Sequence, residues 1–246
     1  MMCYTNNMSC TKEEWIVLII MLVGIIGIAI LLGFLLRNKS EKIRRLPLLV
    51  VTIILIVLEV IKQVRSIVKG YDMWTFPLHF CSTYFIWFSF ANFTKGKFQK
   101  AMQCVAFVAS LYLVVLFYFD PVSIIGHSST AVFESFSNFH TFVFHHLVLL
   151  YFFLVIALKT VDFKFEYCIY FSVSMVIYYC IAVLFANLFN VNYMNILHSN
   201  IDFMESFRVS CGQVLYNIVL GVLTVFAGTL IILILSLIRK KKFAKK

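Results

Sequence analysis

Apolar residues along this chain come in long unbroken runs, not in the alternating or three-to-four-residue patterns of half-buried strands and surface helices. Runs extend over residues 15–36, 46–68, 73–93, 101–119, 139–158, 167–189 and 211–238, each stopping at charged or polar residues. A bilayer core of about 30 Å is crossed by about 20 residues of helix, so each run predicts one span. Together they predict an all-α fold, a polytopic membrane helix bundle of about seven transmembrane helices. The first run follows Glu13 and Glu14, exceeds the apolar core of a signal peptide and has no small-residue cleavage site behind it, so it is expected to be retained. No internal repeat or linker interrupts the pattern, and residues 1–246 read as a single membrane domain.

The connections between the runs carry the orientation. Of the 21 Lys and Arg residues, sixteen fall in one alternating set of segments: 37–45, 95–100, 159–164 and 239–246. Lys12, Lys69 and Arg208 stand alone in the other set, and Lys62 and Arg65 lie inside the second run. Positive charge is retained on the cytoplasmic side, so the N-terminus is expected outside and the C-terminus in the cytoplasm, with an odd number of crossings.

Composition narrows the function classes. With 62% apolar residues and 13% charged ones, there is too little polar surface to cover a soluble globule, and the expected location is the cell membrane as a multi-pass protein. The net charge of +10 sits between apolar runs and forms no stripe along a folded face, so nucleic acid is not an expected partner. Membrane lipids are. The seven cysteines form no CxxC pair, and no metal site or cofactor is expected.

Ionisable and amide groups are costly inside a membrane, so their depth is informative. Glu59 lies past the middle of the second run, with Lys62 and Gln63 on the same helical face. That arrangement reads either as an ion pair with snorkelling cations or as the wall of a polar cavity. The third run opens Pro77-Leu78-His79-Phe80-Cys81-Ser82-Thr83, and on a regular helix His79 and Cys81 would point about 200° apart, so a base for Cys81 would come from another helix. The fifth run carries His140, His145 and His146, at offsets that make no i, i+4 metal pair and no HExxH motif. The sixth ends in Asn187, Asn190, Asn192 and Asn195, readable as caps or as part of a pocket shared with the other polar groups. Gly221 and Gly228 share a face of the last run, where small residues allow close helix packing.

These motifs together are similar to the YwaF-type integral membrane family of bacteria, related to animal transmembrane protein 164. The likeness rests on Glu59, on Pro77 to Ser82, on the histidines at 145 and 146, and on Asn192-Tyr193-Met194. The resemblance implies a membrane acyltransferase that moves an acyl chain between phospholipids by a cysteine and a histidine, with cousins that hydrolyse lipid esters by a threonine and a histidine. Carried onto this chain it implies Cys81 as nucleophile and His146 or His145 as base. His79, Glu59, Lys62, Thr83, His140 and Asn192 would then form the polar shell or substrate contacts. Leu147 stands where the family glycine is expected, and a hydroxyl nucleophile at Ser82 or Thr83 would turn the chemistry toward ester hydrolysis.

Two functions follow. One is phospholipid acyl transfer or lipid ester hydrolysis at a polar pocket in the outer leaflet. The other is a transporter or channel for a small polar or anionic solute, in which the same polar groups line a path.

Overall fold

The structure is a computed structural model that describes residues 10–126, 129–199 and 201–244. Residues 1–9, expected outside, His127 and Ser128, expected in an outer loop, and Lys245 and Lys246 of the basic tail lie outside the described residues.

Among the described residues ten α-helices follow one another: α1 (Lys12–Leu36), α2 (Glu41–Arg44), α3 (Leu46–Val68), α4 (Tyr84–Phe93), α5 (Gly96–Phe119), α6 (Pro121–Ile125), α7 (Phe136–Leu158), α8 (Tyr167–Phe189), α9 (Asp202–Cys211) and α10 (Gln213–Ala244). There is no strand among the described residues. Among the described residues six segments are long and apolar enough to cross a membrane: α1, α2 with α3, α5, α7, α8 and α10. The protein is therefore all-helical, with six such helices where the sequence pattern predicts seven.

The difference lies in residues 73–93. Only Tyr84–Phe93 is regular helix, about 15 Å long at 1.5 Å per residue, and it is preceded by two 3₁₀ turns, Met73–Thr75 and Phe80–Thr83. Pro77 is the cause: it has no N–H to donate, and it holds the preceding Phe76 extended at ψ 138°. His79 is extended as well, at ψ 137°. The apolar run is continuous in composition but not in hydrogen bonding.

Two compact units share the chain. One contains residues up to Leu58 together with Ser110–Thr160; the other contains Glu59–Ala109 together with residues from Val161 on. In the first unit α1 lies along α7, and Leu18, Ile25, Phe117, Ile125 and Leu149 form its buried cluster. A side chain at Gly33 would meet the Ala157 Cβ and carbonyl oxygen at 3.0 Å, so a glycine lets the two backbones approach. The start of α1 is fixed by a capping box, in which the Glu14 N–H donates to Thr11 Oγ1 at 3.2 Å and the Thr11 N–H to Glu14 Oε2 at 2.7 Å.

In the second unit α10 packs on α8. Gly221 makes room for the Tyr179 ring, which a Cβ there would meet at 2.8 Å. Tyr179 donates to the Asn217 carbonyl at 2.9 Å. The N-terminal half of α5 is buried through Ala101, Val105, Ala106 and Ala109, and the Tyr84 hydroxyl of α4 donates to the Ala109 carbonyl at 2.8 Å. Asn190 ends α8 in the left-handed conformation at φ 53° and its N–H reaches the Ala186 carbonyl, the capping role expected of an asparagine there.

Candidate functional site

Polar groups in the second unit converge on the broken segment before α4. Interrupting a helix frees backbone carbonyls, and in a membrane protein such groups must be satisfied from within the protein. Three are. The Tyr178 hydroxyl of α8 donates to the Leu78 carbonyl at 2.8 Å, Gln63 Nε2 of α3 donates to the Thr75 carbonyl at 2.8 Å, and the Tyr193 hydroxyl donates to the Met73 carbonyl. Asp72 caps the first turn by accepting from the Trp74 N–H at 2.9 Å.

Beside this segment the last turns of α3 carry a connected network. Lys62 Nζ stands 2.7 Å from Glu59 Oε1 and donates to Ser82 Oγ at 3.3 Å. Gln63 Nε2 also donates to Glu59 Oε1 at 2.7 Å, and the Tyr71 hydroxyl donates to Gln63 Oε1 at 2.6 Å. One turn on, Ser66 Oγ donates to Thr75 Oγ1 at 2.6 Å, because Thr75 gives its own proton to the Asp72 carbonyl. Glu59 is 3% exposed, so this carboxylate is buried with its counter-charge and amide donor beside it.

His79 is held between aromatic rings, with centroids 4.3 Å from Trp74 and 5.0 Å from Tyr193, the latter edge-on. The ring hydrogen-bonds the Trp74 backbone, and its buried Nε2 has no hydrogen-bond partner among the described residues. Cys81 is half-buried in the second 3₁₀ turn, between His79 and Thr83. Thr83 is committed elsewhere: its hydroxyl donates to the Phe80 carbonyl at 2.7 Å and accepts from Trp87 Nε1 at 3.0 Å. The structure thus brings Glu59 and Lys62 of α3 beside the broken segment that carries His79, Cys81, Ser82 and Thr83, all within one unit. The helical geometry expected for His79 and Cys81 does not apply, because neither is on a regular α-helix.

Asn192 is occupied in its own loop. Its amide oxygen accepts from the Leu197 and His198 N–H groups at 2.8 and 3.2 Å, and its amide nitrogen donates to the His198 carbonyl at 3.0 Å. Further on, Glu205 of α9 accepts from the Ser199 N–H at 2.8 Å and from Arg208 at 2.9 and 2.5 Å. The Arg208 guanidinium holds the Glu205 carboxyl well below its ordinary range, at about 2.

The three helix histidines belong to the first unit and all are buried. His145 Nδ1 is 2.6 Å from the Thr141 carbonyl and His146 Nδ1 is 2.7 Å from the Phe142 carbonyl. A carbonyl only accepts, so each imidazole carries its proton on Nδ1 and presents a basic Nε2 when neutral. The Nε2 of His146 has no hydrogen-bond partner among the described residues, and its ring rests on Phe142 and Phe117 at 4.1 and 5.4 Å. His140 stacks on Phe144 at 5.2 Å. Among the described residues no group of three or more His, Cys, Asp or Glu could hold a metal ion.

An apolar groove of about 620 Å³ opens on the second unit. Leu78, Thr83 and Trp87 line one side, Met102 of α5 and Val173 and Tyr178 of α8 the other. Tyr178 is common to the groove and to the bond that holds the Leu78 carbonyl.

A family model described as the TMEM164 family matches residues 8–241. The chain belongs to the TMEM164 family. As a TMEM164-family protein with six membrane-length helices among its described residues it is a multi-pass membrane protein, and the match carries the relationship to transmembrane protein 164 read from the motifs around Pro77 and Cys81. No curated protein and no solved structure matches this TMEM164-family chain.

Tyr178 and the hydrogen bond of Tyr193 to the Met73 carbonyl are what sequence reasoning missed. Their signal was Pro77 within an apolar run, which frees carbonyls that only protein donors can satisfy at that depth.

Proposed function

We propose that this protein is a lipid-modifying enzyme of the cell membrane, whose substrate acyl chain lies in the groove of the second unit and whose ester is presented to Cys81. The observation that carries the reading is the juxtaposition of the 620 Å³ apolar groove with a polar network at the segment forming its wall, where Leu78 and Thr83 line the groove and Ser82 bonds Lys62. A tail-sized apolar slot beside a few placed polar groups is the form that a lipid-ester site takes. Among the three nucleophile types on the segment, Thr83 has its hydroxyl proton and an acceptor lone pair engaged and Ser82 receives Lys62, which favours the thiol.

In the proposed chemistry the Cys81 thiol gives its proton to an imidazole and its sulfur attacks the acyl carbonyl. The C–O bond breaks, the departing alkoxide takes the proton, and a thioester remains. An acceptor hydroxyl then attacks the thioester and restores the thiol. The family resemblance names His146 for this role, and a carbonyl anchors its Nδ1, so that Nε2 is its basic nitrogen. His79 is the imidazole nearest Cys81 in sequence. With an outside N-terminus, the proposed orientation, this chemistry belongs to the outer leaflet.

The test is transfer of an isotope-labelled acyl chain from phosphatidylcholine by the purified protein in nanodiscs, followed by lipid mass spectrometry. Wild type should move label and accumulate a hydroxylamine-sensitive acyl adduct on Cys81. Cys81→Ala should abolish both, His146→Gln should slow adduct formation, and Val173→Trp should exclude long chains more than short ones. Undiminished transfer by Cys81→Ala, with its helical content intact, would overturn the reading.

A further inference from the structure

A second apolar groove, of about 440 Å³, lies wholly in the first unit. Leu36 of α1, Ile43 of α2, Leu46 and Val50 of α3, and Leu150 and Leu154 of α7 line it. At one end the chain becomes strongly basic: Arg37, Lys39, Lys42, Arg44 and Arg45 fall within nine residues, against one acid, Glu41. Arg37 directly follows the lining residue Leu36, and Arg44 and Arg45 stand between the lining residues Ile43 and Leu46. The groove therefore ends in cations.

Arg44 supplies an independent observation. Its Nη1 donates to the Leu158 carbonyl at the end of α7 at 3.2 Å, one turn beyond Leu154. Its Nε is buried with no hydrogen-bond partner among the described residues. A guanidinium has five donors in a fixed fork that matches phosphate oxygens. Anchored through Nη1 and half-buried as a residue, Arg44 keeps guanidinium donors for an anion at the mouth of an apolar slot.

We infer that this groove is a binding site for one anionic phospholipid, separate from the proposed substrate groove. An acyl chain occupies the slot between α1, α3 and α7, and the headgroup phosphate is held by Arg44 with Lys42, Lys39 and Arg37 around it. A soluble phosphate would gain nothing from the apolar slot. A neutral lipid would leave the cluster uncompensated, and basic pockets between membrane helices select anionic headgroups for that reason.

The experiment is native mass spectrometry of the full chain released from nanodiscs of phosphatidylcholine and phosphatidylglycerol in equal amounts. Wild type should retain one phosphatidylglycerol in preference to phosphatidylcholine. Because Arg44 also caps α7, the charge is tested at its neighbours, by Lys39→Gln and by Lys39→Gln with Lys42→Gln, both at exposed positions. Each lost cation should weaken retention about fivefold. The slot is tested by Val50→Phe, a half-exposed lining position, which should also lower retention. Equal retention of the two lipids by wild type would overturn the inference. So would a preference untouched by the charge variants, or one that charge variants abolish and Val50→Phe leaves intact, since the lipid would then lie outside the groove. None of these readouts depends on acyl transfer.

Discussion

Replacing Lys62 by methionine isolates the ion pair that α3 carries within its apolar length. The side chain is 18% exposed and stands 2.7 Å from a carboxylate that is 4% exposed, so little water is available to replace the lost ammonium. Removing one partner of a buried pair leaves an uncompensated charge and costs about 3–5 kcal/mol, and the partial exposure of Lys62 points to the lower end, about 3 kcal/mol. The bond to Ser82 is lost too, about 1 kcal/mol more. Replacing both members, Glu59→Gln with Lys62→Met, removes the orphaned charge while keeping an acceptor for Gln63, and should recover about 2 kcal/mol of the loss. Reversible unfolding of wild type, Lys62→Met, Glu59→Gln and the double variant in mixed micelles with increasing sodium dodecyl sulfate, followed by circular dichroism, gives the cycle. A single-variant loss below about 1 kcal/mol, or a double variant no more stable than Lys62→Met, would refute the claim that this pair is buried and mutually compensated.

Other positions make independent predictions. Tyr178→Phe leaves the Leu78 carbonyl without its donor and should cost about 1–3 kcal/mol in the same unfolding assay, with the proposed acyl transfer falling as the broken segment loosens. Gly33→Ala drives a methyl against Ala157 and should cost about 1–3 kcal/mol, whereas Gly24→Ala, which meets nothing within 4 Å, should not destabilise. Because the Glu205 carboxyl is depressed to about 2, its contribution is fully present above its unfolded value of about 4.3 and is lost as pH falls toward 2. The difference in thermal midpoint between wild type and Glu205→Gln should therefore shrink from pH 6 to pH 3; a constant difference would contradict the pairing with Arg208.

Long crossings are legible in the apolar pattern because burial in lipid demands composition more than detail. The spans read at 46–68 and 167–189 agree end to end with α3 and α8. The break at residues 73–83 is not legible in that way. Pro77 near the start of an apolar run looks the same whether it opens a helix or stops one, and what decides is whether donors such as Gln63, Tyr178 and Tyr193 arrive from elsewhere. The segment around Asp202 and Glu205, between two apolar runs, becomes α9 for a related reason: Gly212, at φ 84°, divides it from α10 where composition alone runs on. At the site, residue types near Pro77 mark the region, but the occupied hydroxyl of Thr83 and the loop-closing amide of Asn192 depend on geometry that spacing does not carry.

The carbonyls at Met73 and Leu78 wait for tyrosines 120 and 100 residues further along the chain. During synthesis the broken segment therefore leaves the ribosome long before its donors exist. It must remain hydrated or shielded by the insertion machinery until Tyr178 and then Tyr193 have emerged. A chain halted before residue 178 should hold this segment accessible to water-soluble thiol reagents at Cys81, and closure of the wall should mark a late event in biogenesis.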